Sequence, residues 1–176
     1  MAVDDAAFVR PDWPAPENVR SLSTTRAGGG SSGSYGSLNL GDHVGDNPAS
    51  VALNREWLIE HAGLPGRPRW LSQIHGCEIA VADGVSEPVD ADASATSSPG
   101  VVCAVMTADC LPLLICNNDG TRVAAVHAGW RGMCNGIVQK AIKEFRDAGS
   151  SADELMVWLG PAISGRNYEI DSNVKG

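Results

Sequence analysis

A chain of 176 residues with 43% hydrophobic content is long enough for one domain with a real core, and its length gives no reason to expect two. The formal charge of −8 and pI of about 4.8 set the overall field against a polyanionic partner such as nucleic acid, while a small anion held by a local site stays compatible with it. The five cysteines, Cys77, Cys103, Cys110, Cys116 and Cys134, are odd in number and contain no C-x-x-C pair, which reads as reduced thiols in a cytosolic protein.

The opening MAVDDAAFVRPDWP carries acidic residues where a secretory signal needs basic ones, and no apolar run approaches membrane length, so a soluble cytoplasmic protein without a membrane partner is expected. Val19 to Thr25 reads as a strand. After it, Arg26 to Gly36 is rich in Gly and Ser and reads either as a loop that wraps a ligand or as a disordered surface loop. Asn47-Pro48 precedes a helical stretch from Ala49 to Ala62, ended by Gly63. Two short strands are expected at Arg69 to Ile74 and Glu78 to Ala82, broken by His75-Gly76. The acidic, Ser/Ala-rich segment from Asp83 to Pro99 reads as a surface loop. Val101 to Thr107 reads as a strand buried on both faces.

The stretch TADCLPLLICNNDGTRVAAVHAGWRG, Thr107 to Gly132, carries the strongest local signal. Asp119-Gly120 between two β-rich runs predicts a hairpin. With a two-residue turn there, Pro112 faces His127, and Cys110 shares the face of Pro112. Cys110 and His127 are then diagonal neighbours, roughly 7 Å apart at the backbone, and a one-residue slip would separate them. From Met133 the spacing of Ile137, Val138, Ala141, Ile142 and Phe145 predicts an amphipathic helix ended by Gly149, followed by a strand from Leu155 to Leu159.

Three features converge on the open end of that hairpin. His75 stands at the end of a strand before a glycine that lets the backbone turn closely. Cys110 and His127, a thiolate and an imidazole, would complete with it a Cys-His-His set that leaves a fourth zinc position open, as catalytic sites do. Asp109, or Asp42 and His43 in the loop Gly41 to Asp46, could orient a histidine or move a proton. Gly129-Trp130-Arg131-Gly132, placed before the helix, could hold an anion. Each has an ordinary structural reading as well: a satisfied core histidine, a buried thiol, a turn carboxylate, a solvated loop histidine, a plain strand-to-helix turn.

Ser37-Leu38-Asn39-Leu40-Gly41, Gln73-Ile74-His75-Gly76, Thr107-Ala108-Asp109-Cys110-Leu111-Pro112, His127 to Gly132 and Leu159-Gly160-Pro161-Ala162-Ile163 together resemble the YfiH-like family, also called the laccase-domain or multicopper polyphenol oxidase family. The resemblance implies an α/β protein of mixed sheets layered with helices, in a fold shared with the catalytic domains of deamidating toxins. It implies metal ligation by His75, Cys110 and His127, with zinc expected and copper an alternative. It further implies a purine nucleoside and phosphate as substrates, with Arg26, Asn39 and Arg131 near them. Beside that resemblance, Asp109, Cys110 and Arg131 are the catalytic candidates, with Asp109 for proton movement. The implied activity is phosphorolysis of adenosine, inosine, guanosine or methylthioadenosine, with adenosine deamination beside it. Members of the family continue beyond Tyr168-Glu169-Ile170, so residues 1–176 read as one such domain lacking the family's C-terminal segment.

Other readings stay open. Copper-dependent polyphenol oxidation is the older label, yet a multicopper centre consumes many imidazoles and this chain has 4 histidines. Cys110 as nucleophile with His127 as base describes an amide hydrolase. A short chain could also be an inactive binding module.

Overall fold

The computed structural model describes residues 5–84 and 88–169. The expectations for residues 1–4 and for the chain beyond Glu169 lie outside the described residues. Within them, no helix is long and apolar enough to cross a membrane.

Near the start, β1 (Phe8–Val9) and β2 (Ser23–Thr24) form an antiparallel pair. The strand expected from Val19 to Thr25 is therefore only two residues long; the chain just before it is held in a turn by Val19 N donating to Pro16 O. Helix α1 (Pro48–Ala62) begins and ends as its sequence predicts: Asn47 Oδ1 accepts from the amides of Ala49 and Ser50, and Gly63 leaves the helix at φ 60°. Next come β3 (Pro68–Arg69), β4 (Ile79–Val81), β5 (Ala93–Thr96) and β6 (Val102–Cys103). The hairpin strands are β7 (Leu111–Asn117) and β8 (Val123–Ala128). Helices α2 (Trp130–Cys134) and α3 (Ile137–Asp147) and the strand β9 (Leu155–Leu159) complete the described fold.

The main sheet has five strands in the order β4-β5-β8-β7-β9, with β4 and β5 parallel and the other pairs antiparallel. Leu113 and Ile115 of β7, Ala124, Val126 and Ala128 of β8, and Ala93 and Ala95 of β5 pack on Ile137, Ala141 and Phe145 of α3. The strand period of two puts these residues on one face, so His127 and Pro112 belong to the opposite face.

Four expectations change. The segment Asp83 to Pro99 is not all surface loop, because β5 lies inside the sheet with every residue buried. Its Ala-Ser-Ala-Thr sequence lacks large apolar side chains because both of its faces are crowded. The strand expected from Val101 to Thr107 is reduced to β6, half-buried and paired with β3. Further along, Met106 N and O bond the carboxamide of Gln73 instead of a neighbouring strand. The strand expected from Arg69 to Ile74 keeps only Arg69, with a lone bridge from Ser72 to Asp90. The helix expected from Met133 is two helices, broken at Gly136, where φ is 91°.

The hairpin turn also differs in detail. Gly120 N donates to Asn117 O and Asn117 N to Arg122 O, so the loop has four residues, not two. Adding one residue on each side leaves the pairing sum unchanged, and Pro112 still faces His127.

Candidate metal centre

β8 delivers His127 on the face away from α3, and the chain entering β7 delivers Cys110 on the same side. The third donor comes from a turn, residues 74–76, in which His75 takes the left-handed φ of 57°. The donor atoms of His75, Cys110 and His127 all lie within 4.8 Å of one another. The two imidazole rings meet edge to face at 81°. His75 is exposed, Cys110 half-buried and His127 buried, so the trio is closed on one side and open on the other. It is the one such group of three among the described residues that includes a thiol and imidazoles.

Gly129 shapes the closed side. A Cβ placed there would come 3.1 Å from Cys110 Sγ, 3.3 Å from His75 Cδ2 and 3.6 Å from His127 Cε1. The absence of a side chain keeps clear a cradle that all three donors face. Gly132, further along α2, has a related role, since its Cβ would stand 2.8 Å from Gly76 O. Two glycines thus let the first turn of α2 rest against the turn that carries His75. One thiol and two imidazoles, converging with an open side, fit a metal that prefers nitrogen and sulfur ligands.

Behind the trio stands a residue with no signal in the sequence. Asp92, fully buried, bonds His127 Nδ1 at 2.8 Å and accepts the amides of Ile74, His75 and Gly76. It sits within the segment read as surface loop, where an Asp between alanines carries no local signal of burial. Asp109 and Asp42, the carboxylates that could orient a histidine or move a proton, make no hydrogen bond to His75 or His127 among the described residues. Asp109 is exposed, and its backbone oxygen accepts from Ile163 N. Asp42 pairs with Arg55 at 3.2 Å and approaches His43 at 3.7 Å. Burial first, then the negative charges of Asp109 and Asp92, push the Cys110 thiol up from its ordinary value. A bound cation would reverse that balance.

The remaining site candidates lie in two places. Arg131 is exposed in the first turn of α2, its guanidinium 5.2 Å from the Trp130 ring centroid. Gly129 is the N-cap of this short helix and Trp130, Arg131 and Gly132 begin it, so the Gly-Trp-Arg-Gly motif opens α2 and stands one short helix ahead of α3. Arg26 folds the Gly/Ser loop on itself, donating from Nε and Nη2 to Gly36 O. Asn39 Nδ2 donates to Gly41 O and to Asp46 Oδ2, and Asn39 Oδ1 accepts from Gly41 N. Buried Asn54 ties this loop to α1 through Gly30, Ser31, Ser37 and Asn39. The loop read as wrapping or disordered is therefore an ordered, cross-braced one. A cavity of about 230 Å³, lined by Asp42, Arg55, Trp70 and Gln73 among others, adjoins the segment leading to His75.

Comparison with known proteins gives consistent results. The chain is 50% identical over 169 residues to a purine nucleoside phosphorylase of Pseudomonas aeruginosa, the match covering 96% of this chain and 67% of that protein. It is 48% identical to purine nucleoside phosphorylase YfiH of Escherichia coli, covering 96% and 68%. Among solved structures, a Neisseria meningitidis protein superposes with a TM-score of 0.89 at 48% identity, covering 96% of this chain and 68% of that one. YlmD from Geobacillus stearothermophilus gives the same TM-score at 29% identity, covering 97% and 68%. Residues 20–176 match the profile of a family described as multi-copper polyphenol oxidoreductase laccase, and the chain belongs to that family, the one that includes the YfiH-type purine nucleoside phosphorylases.

Proposed function

We propose that this chain carries a zinc-dependent purine nucleoside phosphorylase site, with His75, Cys110 and His127 as the metal ligands. The observation that carries the reading is the convergence of those three donors on a cradle kept clear by Gly129 and open towards solvent at His75. The names of the relatives support the reaction type. Zinc held by these three residues would supply a Lewis acid.

In phosphorolysis a phosphate oxygen forms the bond to the ribose C1′ as the bond from C1′ to the purine nitrogen breaks and the base leaves with a proton. Arg131 is assigned to the phosphate. Arg26 joins it through Nη1, the guanidinium nitrogen not spent on the loop carbonyls. Asn39 keeps the neighbouring loop in shape. Asp109, exposed beside Cys110, is assigned to moving the proton. The adjacent cavity, with the Trp70 ring in its lining, suits a purine base. Adenosine deamination, with water displacing the 6-amino group as ammonia, is assigned to the same site.

One observation favours a second reading. Asp92, His127 and Cys110 form the carboxylate-imidazole-thiol series of a cysteine hydrolase. Against it stands the direction in which burial and the charges of Asp109 and Asp92 move the Cys110 thiol, up from its ordinary value.

The test is the reaction of zinc-loaded protein with inosine. Hypoxanthine is expected only when phosphate is present, without oxygen uptake, and Arg131→Ala is expected to raise the KM for phosphate far more than that for nucleoside. An inert zinc form beside a copper form that oxidises phenols with matching oxygen uptake would overturn the reading, since zinc has no redox change to offer.

A further inference from the structure

We infer that Asp92 is the positioning residue of this centre: one buried carboxylate selects the tautomer of His127 and holds the turn that presents His75. The inference rests on the metal reading above for its functional consequence, though not for its geometry. Asp92 lies immediately before β5 and has no exposed surface. Its Oδ1 is 2.9 Å from His75 N and 2.8 Å from His127 Nδ1. Its Oδ2 is 3.2 Å from Ile74 N and 2.7 Å from Gly76 N. Two oxygens thus meet four nitrogens, three of them backbone amides that can only donate.

The chemistry of a carboxylate decides the fourth. An ionised carboxylate has no proton to give, so the bond to His127 Nδ1 requires that nitrogen to carry one. The neutral ring then has its lone pair on Nε2, free for a metal. The same carboxylate gathers three consecutive amides and so stabilises a turn whose middle residue, His75, has a φ of 57° that L residues seldom adopt. The backbone of Asp92 reinforces both links. Its oxygen accepts from His127 N at 2.7 Å, and its amide donates to Glu78 O just beyond the turn. Two donors from distant parts of the chain are therefore registered against a single residue.

Asparagine is nearly the same size but cannot do this. With its oxygen towards His127 and His75, its NH₂ faces the amides of Ile74 and Gly76. With the amide flipped, NH₂ faces His75 N–H and forces the proton of His127 onto Nε2, the nitrogen a metal needs.

The experiment has two arms. Long-range ¹⁵N–¹H spectra of the metal-free wild type, at a pH where His127 is neutral, are expected to show the proton on Nδ1. Zinc titration against a chelator is expected to find Asp92→Asn about 10- to 100-fold weaker than wild type, with its far-UV spectrum and amide dispersion retained. A proton on Nε2 in the wild type, or unchanged zinc affinity in a folded Asp92→Asn, overturns the inference. Should the variant not fold, the wild-type spectrum still decides. If the wild type itself takes up no zinc, the metal reading fails while the tautomer spectrum continues to test Asp92.

Discussion

Gly129 stands where a side chain would press on three others. At its φ of −68° alanine is conformationally acceptable, so Gly129→Ala isolates the effect of one methyl group pressed between Cys110, His75 and His127. We expect zinc affinity to fall on the order of tenfold, as when other groups around a metal site are disturbed, with thermal stability of the metal-free protein little changed. Chelator competition and a melting curve measure both. Undiminished affinity would mean that the metal sits away from the cradle. Cys103, by contrast, is a thiol outside the trio: burial pushes it up to about 11.

At the scale of elements, α3 is the piece that makes the hairpin a platform. Phe145, Ile137 and Ala141 fill the space above Leu113, Ile115 and Val126, and the small Ala93 and Ala95 let the helix close on the middle of the sheet. Phe145 is wholly buried. Its truncation in Phe145→Ala is expected to cost about 3–5 kcal/mol, because the ring's transfer energy is lost and a cavity remains. Urea unfolding followed by far-UV circular dichroism reads this as a lower midpoint at unchanged slope; a cost below about 1 kcal/mol would show that the helix collapses into the gap. The helix lies across the sheet from His127, so the loss is one of platform stability and not of donor chemistry.

At the scale of the whole molecule, the three donors come from a turn before β4, the entry of β7 and the end of β8, so a metal joins segments 35 and 52 residues distant from His75 in sequence (110 − 75 and 127 − 75). Any ligand bound by the folded state alone stabilises it by mass action. At a free zinc concentration 100 times its Kd the gain is about 2.7 kcal/mol. Calorimetry is expected to show a melting temperature that rises with zinc in the wild type, returns to the metal-free value with EDTA, and does not respond in Cys110→Ala. A Cys110→Ala melt that still shifts with zinc would remove Cys110 from the ligand set.

The local sequence determined what local physics can decide. Asn47 and Gly63 bounded α1, the period of α3 marked its buried face, and Asp119-Gly120 placed the hairpin so that His127 faced Pro112 with Cys110 alongside. Because the strand period is two, that register alone brings a thiol and an imidazole to one face, with a loop of four residues as with one of two. What only the tertiary structure decided lay where pairing partners are remote. β5 has no periodic apolar pattern, since a strand of Ala, Ser and Thr is buried only because β4, β8 and α3 close over it. Asp92 follows from the same cause: an acidic residue among alanines reads as solvated until amides from residues 74–76 and an imidazole from β8 are folded onto it. A charge can be buried when enough donors converge on it, and that convergence is a property of the fold.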